Sequence, residues 1–187
     1  MFVLGHLGFT LIGARLLAPA LRRGASFPVG FLLVGALLPD LVDKPLGHVI
    51  LPWDNGRLWA HTLLFTVLLA ALAWGTASRR LGATSLGVGF HQLLDQIPWQ
   101  DPGAWLWPLG SFPREVSAGV PDWWAALLTD PYLWTTETIG LLAVASLLVL
   151  PMLGWRPAWW RGPASDASAP GPVPVPVRPG AEGETDP

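Results

Sequence analysis

Residues 63–74 read LLFTVLLAALAW, a run with no ionisable side chain. Set in the longer stretch from Ala60 to Ala77, it is apolar enough to cross a bilayer as a helix. A crossing helix needs about 20 mainly apolar residues, within a range of about 17–25. Outward from this segment the pattern repeats. Phe2–Ala18 and Phe27–Leu41 precede it, and Leu81–Ile97 and Thr138–Leu153 follow it. The segment at 138–153 is again free of charge, so these two are the clearest spans. The other three are marginal in length or carry polar groups, as tilted or protein-facing helices do.

Composition agrees. Of 187 residues, 51% are hydrophobic and 13% charged, at a mean hydropathy of +0.44, whereas a soluble domain carries about a quarter charged residues. The expected fold is therefore all-α, a multi-pass transmembrane bundle of about five helices over residues 1–160. From residue 161 the chain is rich in Pro, Ala and Gly, a composition that buries no core and predicts a disordered tail over 161–187. Between the last two segments, PDWWAALLTDP at 121–131 reads as a short interfacial helix opened by Pro121 and Asp122.

Basic residues set the expected orientation. Arg15, Arg22 and Arg23, then Arg79 and Arg80, then Arg156 and Arg161 fall on one side if all five segments cross. The opposite loops hold only Lys44, Arg57 and Arg114. The Arg-rich side is then cytoplasmic. This places the N-terminus outside and the tail inside. The first segment has no basic region ahead of its apolar run, so it reads as a retained helix rather than a signal peptide. Twelve Trp against one Tyr, many in the 98–136 loop, suit the membrane–water boundary. A net charge of -2 with no basic stripe speaks against nucleic-acid binding.

With orientation fixed by Arg and Lys alone, the other polar residues converge. His6, Asp40, Asp43, His61, His91, Asp95 and Glu137 all fall at the outer ends of their segments. Ionisable groups at membrane depth are costly and mark functional sites by default. His91 and Asp95, four apart, share one helix face and suit a divalent cation, or equally a buried His–Asp hydrogen bond. Pro39 and Pro45 predict that the second helix ends around Asp40 and Asp43. Two acids at a helix C-terminus need an offsetting cation, either Lys44 or a metal. His48 is a secondary candidate. Glu137 reads as a first-turn cap of its own helix. Without cysteine, any metal is held by nitrogen and oxygen.

Gly35 to Pro39 followed by Asp40 and Asp43, then Arg57 with His61-Thr62, then His91-x-x-x-Asp95, with His6 upstream, resemble in order the YdjM-like family of predicted membrane-bound metal-dependent hydrolases. The resemblance covers roughly the first 110 residues. It implies a multi-pass inner-membrane protein, distantly similar to zinc-dependent phospholipase C and P1-type nucleases. It also implies His6, Asp40, Asp43, His61, His91 and Asp95 as metal ligands and Arg57 as a phosphate-holding cation. The metal is expected to be Zn²⁺, with Mn²⁺ or Fe also compatible with such donors. The chain departs from the family pattern at Gly56, at Ala60-His61-Thr62 in place of Thr-His-Ser, and in the spacing Asp40-Leu-Val-Asp43. On this reading Asp43 is the candidate general base. A membrane lipid or lipid-linked phosphate is the expected substrate. The alternatives are a non-catalytic metal-stabilised scaffold and, behind it, a transporter, which would need polar groups at the midplane.

Overall fold

A computed structural model describes residues 2–21, 28–51, 55–112 and 120–154. Among them there is no strand, and the fold is all-α. The main helices are α1 (Val3–Leu21), α2 (Val29–Pro45), α3 (Leu63–Gly75), α4 (Arg79–Leu94) and α8 (Pro131–Met152). Three shorter ones, α5 (Ile97–Gln100), α6 (Pro102–Trp105) and α7 (Val120–Thr129), lie between α4 and α8. The expected tail, and Arg22, Arg23, Arg156 and Arg161, lie outside the described residues.

Local chemistry sets most of the boundaries. Thr62 caps α3 by accepting the Phe65 N–H, and Ser78 caps α4 through Leu81 N–H. Asp130 caps α8 through Tyr132 N–H, with Pro131 pre-set for the first helical position. At its other end α4 stops at Asp95, because Gln96 turns left-handed (φ 56°).

Two boundaries depart from expectation. Pro39 does not end α2, which runs on to Pro45 and then into a single π-helical turn, Leu46–Ile50. A proline inside a helix frees the carbonyl four residues back and crowds it with its ring. Here that residue is Gly35, which has no side chain to add to the crowding. Asp40 and Asp43 are therefore helical rather than in a loop. The expected span at Ala60–Ala77 is interrupted too. Trp59–His61 form a short 3₁₀ turn, and α3 begins only at Leu63 and has 13 residues. At about 1.5 Å per residue, α3 is about 20 Å long. One described helix, α8, is long and apolar enough to cross a membrane, while α1 and α3 contribute shorter apolar stretches.

Helix packing relies on close backbone approach. The α2–α4 pair is the most extensive contact; α1 packs on α8 and α2, and α3 on α4. Leu32, Ala14 and Ala83 form a buried cluster against which Leu86 and Phe90 pack. A Cβ on Gly87 would sit 2.1 Å from the Leu32 carbonyl oxygen, and one on Gly35 would sit 2.1 Å from that of Thr84. Small residues at such crossings let helix backbones approach closely. Gly87→Ala is therefore expected to destabilise the fold by about 1–3 kcal/mol, the usual cost of overpacking. Gly30→Ala, with no atom within 4 Å of the new methyl, is the matched control. Thermal unfolding in detergent of the two variants checks this.

Candidate metal centre

The up-and-down path of successive helices brings the start of α1, the end of α2, the 59–61 turn and the end of α4 to one end of the bundle. Four side chains meet there. Ligand atoms of Asp40, His61, His91 and Asp95 all lie within 4.8 Å of one another. His61 and His91 are fully buried, and the side chains of Asp40 and Asp95 are 15% and 11% exposed.

Each imidazole is fixed from behind. His61 Nδ1 lies 2.7 Å from Asp43 Oδ2, and His91 Nδ1 lies 2.8 Å from the Ala36 carbonyl oxygen. His6 Nδ1 lies 2.9 Å from the Phe2 carbonyl oxygen. These oxygens can only accept, so each ring carries a proton on Nδ1. In the neutral imidazole that leaves a lone pair on Nε2. The three Nε2 atoms point inward. His61 Nε2 and His91 Nε2 are 3.1 Å apart, lone pair facing lone pair unless a proton or a cation lies between them. Asp40 Oδ1 stands 3.6 Å from His61 Nε2 and 3.8 Å from His91 Nε2.

His6 stands beside the four rather than among them. Its ring stacks on His91 with centroids 4.2 Å apart, and its Nε2 is 3.0 Å from Asp95 Oδ1. With the ring neutral that contact sets a lone pair against a carboxylate oxygen, and with it protonated the two form an ion pair. In the neutral ring His6 Nε2 is buried without a hydrogen bond, and so is Asp40 Oδ1. Asp95 divides its oxygens, with Oδ2 3.7 Å from His91 Nε2. Asp40 does likewise, giving Oδ2 to Lys44 Nζ at 2.6 Å. Buried polar atoms without partners are rare and call for an account. Inward nitrogen and oxygen lone pairs, with ring protons held by outer acceptors, are the donor set that a divalent cation requires.

Asp43 is placed behind this group. It is fully buried and accepts from the backbone N–H of Leu58 (2.8 Å), Ala60 (3.1 Å) and His61 (3.1 Å), besides His61 Nδ1. This grip winds residues 59–61 into their turn and delays α3. Arg57 is half-buried, and its backbone N–H donates to Asn55 Oδ1 at 2.8 Å. No side-chain ion pair joins Arg57 to the four among the described residues. His48 lies on the π-helical turn, outside the group.

Sequence reasoning passed over Gln92. Its amide donates to the carbonyls of Ala60 (3.3 Å) and Thr62 (2.9 Å), and its Oε1 accepts from Trp105 Nε1 (3.1 Å). It ties the turn that carries His61 to α4, which carries His91. The one available signal was an amide next to His91 in the apolar half of α4. Glu137 is also differently placed. α8 starts at Pro131, so Glu137 is no first-turn cap of its own helix.

The family model for the YdjM inner membrane protein matches residues 1–162. The chain belongs to that family. In this YdjM-family chain the match takes in every element that carries the site and extends past the end of α8. No curated protein and no solved structure matches the chain.

Proposed function

We propose that this YdjM-family protein is a membrane-bound metal-dependent hydrolase acting on phosphate esters of lipids or lipid-linked substrates at the outer membrane face. The observation that carries the reading is the fixing of three imidazoles through Nδ1 so that their Nε2 lone pairs face two carboxylates. Asp40, His61, His91 and Asp95 hold a divalent metal, Zn²⁺ ahead of Mn²⁺ or Fe, with His6 alongside Asp95. Such an ion supplies Lewis acidity toward a phosphoryl oxygen and activates water. Asp43 and the Ala36 carbonyl hold the rings in the ligating tautomer. Arg57, with its guanidinium unpaired among the described residues, offers a fork for a substrate phosphate.

Surroundings support a lipid-phase substrate. Val49 and Ile50 beyond α2, Trp99 beyond α4 and Trp134 near Glu137 are 81%, 70%, 70% and 57% exposed, all on segments that adjoin the site. Exposed apolar and indole side chains at one end of a bundle suit the headgroup level of a bilayer. The other helices cross with α8, and the Arg-poor end that bears the site faces outward.

Elemental mass spectrometry of detergent-purified protein tests the metal, and hydrolysis of phosphodiester and phospholipid substrates tests the chemistry. Stoichiometric transition metal with metal-dependent phosphate release is expected. Metal without turnover favours the scaffold. No metal after reconstitution with Zn²⁺ and Mn²⁺ removes the hydrolase reading.

A further inference from the structure

The first turn of any helix leaves backbone N–H groups without intrahelical partners. In α1 these are taken by a side chain from far along the chain. Glu137 Oε1 accepts from Phe2 N–H and Gly5 N–H, and Oε2 from Leu4 N–H, each at 3.0 Å. A carboxylate at this place also complements the helix dipole.

His6 is the next residue along α1 after this clamp. The Phe2 residue whose N–H Glu137 holds is the same one whose carbonyl fixes His6 Nδ1. Beneath the clamp the two backbones touch. A Cβ on Gly8 would lie 2.3 Å from Gly140 Cα, and one on Gly140 would lie 2.1 Å from the Leu4 carbonyl oxygen. α1 is thus held on α8 on both sides of His6, at residues 2–5 before it and at Gly8 after it. From that seat His6 stacks on His91 and reaches Asp95.

We infer that Glu137 is a positioning residue for the metal centre, acting through α1 to set His6 against Asp95 and so coupling the membrane-length helix α8 to metal affinity. This rests on the metal-site reading above. Glu137 touches neither the four ligands nor their oxygens among the described contacts, so its influence runs through His6.

A purely structural clamp and a positioning clamp differ in one measurable respect. The first lowers stability equally with and without metal. The second also weakens the metal-bound state in particular, because a ligand that binds only the folded protein stabilises it according to its affinity. The experiment uses the full chain in detergent: wild type, Glu137→Gln, Glu137→Asp, His6→Ala and the His6→Ala, Glu137→Gln double variant. Zn²⁺ affinity is read by competition with a chromophoric chelator, and thermal unfolding is followed with and without Zn²⁺. Glu137→Gln is expected to lose about tenfold in affinity, in the range that loss of an outer-shell partner costs. Its Zn²⁺-induced rise in Tm is expected to shrink, and Glu137→Asp to recover part of both. In the double variant the affinity loss is expected to be no larger than in His6→Ala alone, since two residues acting through one contact do not add. Unchanged affinity in Glu137→Gln, or losses that add in the double variant, overturns the inference while leaving the metal centre standing. Wild type that takes up no Zn²⁺ overturns the metal centre, and the inference falls with it.

Discussion

Replacing His61 with alanine is expected to abolish stoichiometric metal binding, with an affinity loss of about a hundredfold or more, at the upper limit of outer-shell effects. His61 presents Nε2 3.1 Å from His91 Nε2 and 3.6 Å from Asp40 Oδ1, so its removal opens the middle of the group rather than its edge. Asp95→Ala is expected to do the same, since Asp95 faces both His6 and His91. His48→Ala is the control: His48 lies on a different turn, and its loss leaves metal content unchanged. Elemental mass spectrometry on the three purified variants decides. Metal retained by His61→Ala would mean that the buried contacts are a proton-sharing network instead.

The second large effect falls on Asp43. Asp43→Ala strands three backbone N–H groups and one ring N–H in a buried site. An unsatisfied buried donor costs about 1–3 kcal/mol, so the variant is expected to lose about 3 kcal/mol or more and to express poorly. Asp43→Asn keeps the volume and one acceptor oxygen and separates two roles. If Asp43 orients His61, Asp43→Asn weakens metal binding and activity falls with it. If Asp43 is the general base, metal binding survives and only turnover is lost. All four described partners of Asp43 are donors, which favours orientation. Metal affinity measured beside kcat separates the two outcomes.

Local pattern carried the sequence reading as far as local pattern reaches. The five apolar segments correspond to α1, α2, α3, α4 and α8 because composition and length are properties of each segment alone. His91 and Asp95 were legible as a pair because a helix turn fixes their spacing. The start of α3 was not legible. It depends on a carboxylate 15 to 18 residues upstream that captures the N–H groups of Leu58 and His61. The span through Pro39 was misjudged because proline's cost depends on what sits four residues earlier, and Gly35 also serves the α4 crossing. Glu137 read as a cap and is one, but for a helix more than 130 residues away. That pairing is tertiary and leaves no periodic trace. Gln92 was missed because its carbonyl partners carry no side-chain signature.

The Lys44–Asp40 contact has a bearing on how strongly the centre would hold a cation. Lys44 Nζ lies 2.6 Å from Asp40 Oδ2, so one of the carboxylates that face the group already shares its charge with a lysine. Charge left uncompensated in a buried place is costly, and a fixed cation at the edge of the group offsets part of it. Neutralising Lys44 is therefore expected to leave more negative charge at the centre and to tighten its hold on a cation.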